Sequence, residues 1–235
     1  MDEFSDLITA VQSDLSISSN SSFYPDATIK LAINRAYKKS GVFKWTALQD
    51  SQKTSTVTSQ AYYEAPSTWR PNSIWRLEVD SDRYGQDPDG SPLKFDDYLT
   101  WKEDNPNSTD KKWTVQWLRY FISPTPSASG SNDITIWGYK NVSELVNDDD
   151  TTIFSYNMPE CNDAIVMEAS AILKNKAEDQ KAGQFISAEA KNILAITFNG
   201  LTKDSSNQEK NQPFFSVPDY YGKGMSGYNV DPEDF

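Results

Sequence analysis

Four aspartates, Asp80, Asp82, Asp87 and Asp89, stand in the stretch DSDRYGQDPDG together with Gly85 and Gly90. Closely spaced carboxylates in a glycine-bearing loop are what a hard cation such as calcium needs. The spacing nevertheless fails as a helix-loop-helix calcium site. Its fifth position is Tyr84 and its twelfth is Ser91, where a bidentate glutamate belongs. A turn between strands accounts for the stretch better. Histidine is absent from the chain, which removes the commonest general base and the commonest zinc ligand. Ser-His-Asp and Cys-His catalysis are thereby excluded. A hydrolase running on carboxylates alone survives on residue types, but no pair of acids stands out as acid and nucleophile. The single cysteine, Cys161, falls on an apolar helical stripe, as a buried structural thiol does. Asp148, Asp149 and Asp150 read as a solvated loop. No P-loop, GxGxxG, CxxC or HExxH pattern occurs. The expectation is a protein that is not an enzyme and carries no metal or other cofactor.

Binding is better signalled than catalysis. The stretch from Asn211 to Phe235 reads NQPFFSVPDYYGKGMSGYNVDPEDF. Its prolines and glycines forbid a helix or a central strand, and it is too short to build a core of its own. It still carries Phe214, Phe215, Val217, Tyr220, Tyr221, Tyr228 and Phe235, whereas disordered tails are poor in aromatics. Such a segment either packs back on its own domain or serves as a docking arm, and aromatic anchors favour the arm. A second candidate is the basic cluster Lys30, Arg35, Lys38 and Lys39 on one predicted helix, read as a solvated face or as a contact for an acidic partner. A third is the set of seven tryptophans, Trp45, Trp69, Trp75, Trp101, Trp113, Trp117 and Trp137. Exposed in a row, such rings would stack on sugars; otherwise they fill a core. Trp75 and Trp137 sit on inward-looking alternations, while Trp69, in a proline-flanked turn, is the one expected to be exposed.

The net charge of −12, from 22 basic and 34 acidic residues, has the wrong sign for gripping DNA through its phosphates. No run of apolar residues is long enough for a membrane span, and the acidic opening MDEFSDLITAV lacks the basic stretch of a signal peptide.

Helices and strands must present these groups. Phe4, Leu7, Ile8, Val11 and Leu15 share one helical face. Pro25 and Asp26 open a second helix, with Ile29, Ile33, Ala36 and Tyr37 on its apolar side, and Gly41 stops it. From about Thr46 to Tyr139 the period shortens to that of strands, with expected segments at 54–58, 60–64, 74–79, 113–122 and 133–139 and a short helix at 95–103. Asn157, Pro159 and Glu160 form a capping signal for a third long helix, carrying Cys161, Ala164, Ile165, Ala169, Ile172 and Leu173. After a break near Gly183, a last helix holds Ile186, Ala190, Ile193, Leu194, Thr197 and Leu201, and Phe185, Ile196 and Phe198 make it apolar nearly all round.

Three stretches carry a resemblance. They are AINRAYKKSGVFKW (Ala32 to Trp45), FSYNMPECNDAIVMEASA (Phe154 to Ala171) and the aromatic arm. With this order of elements the chain resembles the head-to-tail connector, or adaptor, proteins of tailed bacteriophages, the tail tubular protein A type included. The resemblance implies an α+β fold: a four-helix adaptor domain from residues 1–45 and 151–205, a small antiparallel β-insertion at 46–150 and an extended C-terminal docking arm at 206–235. It implies a structural role in the virion neck after synthesis in the host cytoplasm, as a dodecameric ring under the portal protein. That ring would extend the DNA channel and offer a platform to the next neck or tail protein. Phe214, Phe215, Tyr220 and Tyr221 would anchor the arm on the portal. DNA would pass through an acidic channel without specific binding. A carbohydrate-binding or adhesion module built on exposed tryptophans is the alternative, and a carboxylate-dependent hydrolase a third reading.

Overall fold

The computed structural model describes residues 3–17, 23–85, 90–155, 158–176 and 180–204. The chain divides into two compact units, one from residues 1–45 and 142–235, the other from Thr46–Asn141.

The first unit is helical. Its described helices are α1 (Phe4–Asp14), α2 (Asp26–Ser40), α4 (Pro159–Lys176) and α5 (Gln180–Asp204). Helix α4 lies at the centre, packing against α1, α2 and α5. Its stripe of Cys161, Ala164, Ile165, Ala169 and Leu173 is fully buried, and the small residues let neighbouring helices approach closely. The first turn of α1 has no side-chain cap. Its free amides are met instead by carbonyls of the acidic loop: Phe4 donates to Asp150 O (2.8 Å) and Ser5 to Asp148 O (3.0 Å). Asp150 in turn accepts from the amides of Val146 (2.5 Å) and Asn147 (2.8 Å), and these bonds hold its carboxyl below the usual range. The run 148–150 is thus a clasp on α1 rather than a merely solvated loop.

Two further ties close this unit. The buried side-chain amide of Asn34 donates to Leu145 O and accepts from Leu145 N, both at 2.9 Å. Gly41 ends α2 with an ordinary right-handed φ of −64°. Glycine fits closely there: a Cβ would meet Val142 Cγ1 at 3.0 Å and Lys38 O at 3.2 Å, so those neighbours would have to give by a few tenths of an ångström.

The second unit holds two antiparallel sheets and helix α3 (Phe95–Asp104). One sheet runs β1 (Gln49–Thr54), β7 (Ile134–Tyr139), β3 (Arg76–Val79), β4 (Asp82–Tyr84); the other runs β2 (Tyr62–Glu64), β6 (Arg119–Ser123), β5 (Lys112–Gln116). Alternate residues of both sheets, among them Tyr63, Leu77, Trp113, Tyr120, Ile122, Ile134 and Ile136, meet in one hydrophobic core.

The expectation of a four-helix domain with a small β-insertion is overturned. The described chain is an α+β protein with five helices and two sheets of seven strands in all. Strands as short as β2 and β4, three residues each, leave little periodic trace. The expected strand 113–122 is two strands, β5 and β6, folded back at Trp117 and Leu118. The expected strand at 54–58 lies instead at Gln49–Thr54, a polar sequence held by its pairing with β7. The break expected near Gly183 comes slightly earlier: α4 ends at Lys176 and α5 begins at Gln180, so that Gly183 lies inside α5.

Tyr120 is fully buried, stacked on Tyr63 with ring centres 5.6 Å apart. Burial, chiefly, pushes its hydroxyl up to about 12, and burial does the same to Tyr98. An unfolded tyrosine ionises near 10, so the folded chain holds these protons more tightly. Their stabilisation is complete below pH 10 and is lost as pH rises from 10 towards 12, on the order of 2–3 kcal/mol for each group. Urea unfolding of the β unit followed from pH 9 to 11.5 is expected to show this decline. In Tyr120→Phe the decline should be shallower.

Candidate interaction surfaces

The two sequence segments AINRAYKKSGVFKW and FSYNMPE come together in the helical unit. Trp45 is 2 % exposed, and its indole N–H donates to Ser40 O at 2.8 Å. Its ring meets Phe154 edge-on at 5.0 Å and Phe198 of α5 edge-on at 5.3 Å. Phe43 lies 5.3 Å from Phe198, and the Tyr37 hydroxyl accepts from the Ile153 amide at 2.9 Å. These rings form a closed box. Trp45, Phe43, Tyr37 and Phe154, from two of the stretches that carry the resemblance, therefore act as structural cement.

The basic cluster of α2 is largely answered from within the same unit. Lys30 meets Asp148 at 2.7 Å and Lys38 meets Glu144 at 3.4 Å. Lys39 pairs with Glu168, whose side chain is buried on α4. Arg35 is exposed. Residues from 144 to 168 supply the carboxylates, so sequence proximity could not have revealed them. Lys30 and Lys38 stand in solvent-exposed pairs that contribute little to stability. Lys39 matters more, because Glu168 would otherwise be an unpaired buried charge.

Helix α5 is packed on one side only. Ala190, Leu194 and Phe198 are buried, whereas Phe185 is 72 %, Ile196 62 % and Leu201 49 % exposed. The expectation of a helix buried all round is corrected: Phe185 and Ile196 lie eleven residues apart, three helical turns, on an open face with no described covering. Phe214, Phe215, Val217, Tyr220, Tyr221, Tyr228 and Phe235, assigned to a docking arm from sequence, lie outside the described residues, as do Asn157, Asp87 and Asp89. Among the described residues no group of three or more acids, histidines or cysteines is placed to hold a metal ion, and Asp82 is paired with Lys111 at 2.5 Å. Cys161 is fully buried, and burial pushes its thiol up to about 11. No described helix is long and apolar enough to cross a membrane.

In the β unit the tryptophans separate clearly. Trp69 and Trp113 are core residues. Trp69, expected to be exposed, is 1 % accessible because its ring lies over Gly138, where a Cβ would come within 2.4 Å. Trp137 points away from Ile134 and Ile136 and carries the Arg76 guanidinium 4.8 Å above its ring. Only Trp117, 67 % exposed, projects. What the tryptophan pattern did not reveal is a row of other rings on the outer face of the three-stranded sheet. Phe95 lies 5.4 Å from Phe121, and Phe121 lies 5.9 Å from Tyr62. Arg119 covers Tyr62 at 5.6 Å and pairs with Glu64 at 3.3 Å. The alternation of Tyr62 and Glu64 around the buried Tyr63 was the available signal.

No protein-family model matches the chain, and no curated protein matches it.

Trp117 also has an unusual backbone. It occupies the first position of the two-residue β5–β6 turn with φ 61°, where glycine is preferred. Asn72, itself at φ 55°, accepts from the Trp117 amide through Oδ1 (2.6 Å) and donates its own amide to Trp117 O (2.8 Å). A bulky side chain in this region costs about 1–2 kcal/mol. Trp117→Gly is expected to stabilise the β unit by about 1 kcal/mol, read as a higher urea midpoint. An unchanged or lower midpoint would show that the indole stabilises more than its backbone costs.

Proposed function

We propose that this chain is a structural assembly protein, a head-to-tail connector of a tailed-phage virion, which docks through residues 211–235. The observation that carries this reading is the one-sided packing of α5. A helix of 25 residues presents Phe185 and Ile196 to solvent, on the side away from the buried Ala190, Leu194 and Phe198, and is followed in sequence by a polar stretch and then the aromatic segment. Apolar surface of this kind marks a place meant to be covered. The resemblance of residues 32–45 and 154–171 to connector proteins names the assembly. The aromatic box those residues build supports a rigid base for α5. Anchors such as Phe214, Phe215, Tyr220 and Tyr221 would each contribute roughly 1.5–3 kcal/mol on burial, against about 1 kcal/mol for every backbone residue ordered. A single arm is therefore weak, and a ring of copies gains from multivalency.

The test is co-assembly with the portal particles of the same virus, followed by negative-stain microscopy. The full chain is expected to decorate one end of the portal ring. A chain lacking 211–235 should keep its helical circular dichroism and lose decoration. Undiminished docking by the truncated chain would overturn the role of the arm.

A carbohydrate-binding reading is favoured by the row Phe95, Phe121 and Tyr62 with the Arg119–Glu64 pair beside it. It expects millimolar or tighter glycan binding that Tyr62→Ala reduces at least tenfold in titration calorimetry. Binding that Tyr62→Ala leaves unchanged removes it.

A further inference from the structure

Trp117 stands apart from the other tryptophans of the chain. Trp45, Trp69 and Trp113 are buried, and Trp75, Trp101 and Trp137 are half-buried. Trp117 is the most exposed of the large apolar side chains described in the β unit. Its backbone is equally out of place. Seven described residues other than glycine have a positive φ: Ser16, Ser59, Asn72, Asp80, Ser81, Trp117 and Asn132. Six of them are small and polar. For a bulky side chain such a φ is an outlier. An indole left in water and a backbone better suited to glycine thus fall on one residue. The turn is nevertheless fixed. Asn72 accepts from the Trp117 amide at 2.6 Å and donates to Trp117 O at 2.8 Å, while Leu118 O accepts from the Ala65 amide at 2.8 Å. Gln116 and Arg119 pair directly behind the turn. Strain that its surroundings over-determine concentrates at binding sites, and tryptophan is enriched among the residues that carry interface energy.

We infer that Trp117 anchors a second docking surface, an indole held on a rigid hairpin tip for an apolar pocket of a folded partner protein. The partner named here rests on the connector reading: it is the next neck or tail protein, since the portal is already allotted to residues 211–235. The rim around the indole selects a protein. Asn72 and Gln116 are exposed and uncharged, and Arg119 is paired with Glu64. An apolar centre inside a polar, near-neutral rim is the anatomy of a protein interface. Phosphates of a nucleic acid or anionic lipid headgroups would call for a basic rim, and the net charge of −12 opposes both. The clamp by Asn72 points the same way. A headgroup layer has no fixed shape to match, whereas a preformed pocket favours a side chain already held in its bound orientation. Trp117 is also not a member of the ring row Phe95, Phe121 and Tyr62, so this surface is not the one considered for glycans.

Substitution at this turn separates binding from folding. Trp117→Gly relieves the backbone and removes the anchor together. It is therefore expected to bind worse while unfolding no more easily, a combination that misfolding does not produce. Trp117→Asn, whose side chain tolerates a positive φ, should behave alike. Asn72→Gly keeps the indole and removes the Oδ1 that fixes it.

The test joins portal particles decorated with the full chain to tail particles of the same virus, counted by negative-stain microscopy. Trp117→Gly and Trp117→Asn are expected to decorate the portal as before and to cut joining at least tenfold. Asn72→Gly should cut it severalfold. Undiminished joining by the Trp117 variants overturns the inference and leaves the connector reading standing. Loss of decoration in those variants also overturns it, because the indole would then face the portal. Undiminished joining by Asn72→Gly shows that rigid presentation is not used and removes the shaped pocket. If the unaltered chain decorates no portal, the connector reading fails and this assignment fails with it. Phosphatidylcholine vesicles are the second probe: binding by the unaltered chain that Trp117→Gly abolishes would give the indole to a membrane and overturn the protein partner.

Discussion

The indole of Trp45 is the point on which the helical unit depends. It follows the end of α2 and is held by a hydrogen bond to Ser40. Its faces and edges are taken up by Phe43, Phe154 and Phe198. Those rings come from the end of α2, from the segment that precedes α4, and from α5. Three parts of the chain, distant in sequence, are therefore fixed by contact with one buried side chain. Aromatic pairs in edge-on geometry contribute about 0.5–1.5 kcal/mol each beyond the area they bury, and here several are made at once. Because Phe198 belongs to this box, α5 is anchored through one face, and its opposite face is left outward by geometry.

The β unit obeys a different constraint. Its core is built from alternate residues of short strands, and its two sheets contribute about equally. Outward-facing residues carry paired charges, Arg76 with Glu78 and Arg119 with Glu64, and rings that lie beside them. The unit has one conspicuous departure from local preference, the left-handed Trp117. Its partner Asn72 shares the same backbone region and exchanges two hydrogen bonds with it. The two turns hold each other in conformations that neither sequence favours alone.

How far the sequence could be read follows from the range of the interactions. Helices α1, α2 and α4 were legible because an apolar face repeats within a few residues: Phe4, Leu7, Ile8 and Val11 are all buried as their spacing predicts. The β5–β6 turn was illegible because Trp117 carries no turn signal and its positive φ is sustained by Asn72, 45 residues away. Trp69 was misjudged for the same reason, since the flat space it fills is made by Gly138. The exposed face of α5 could not be told from a buried one by composition. Phe185 and Phe198 are the same residue type, and only the position of Trp45 decides which of them is covered. Of the surfaces considered for binding, the cationic side of α2 was visible in the sequence while its acidic counterparts at Asp148, Glu144 and Glu168 were not.

The tie between Asn34 and Leu145, with Gly41 seated against Val142, bears on what the chain can exchange. The chain departs after Trp45 and comes back at Val142; the departing flank is bonded to α2 through Trp45 and Ser40 and the returning flank through Leu145 and Asn34, with none of the intervening residues involved. A splice point secured in this way tolerates replacement of everything looped out between its ends. The looped-out residues could thus be exchanged without disturbing the bonds that hold the scaffold on either side of them.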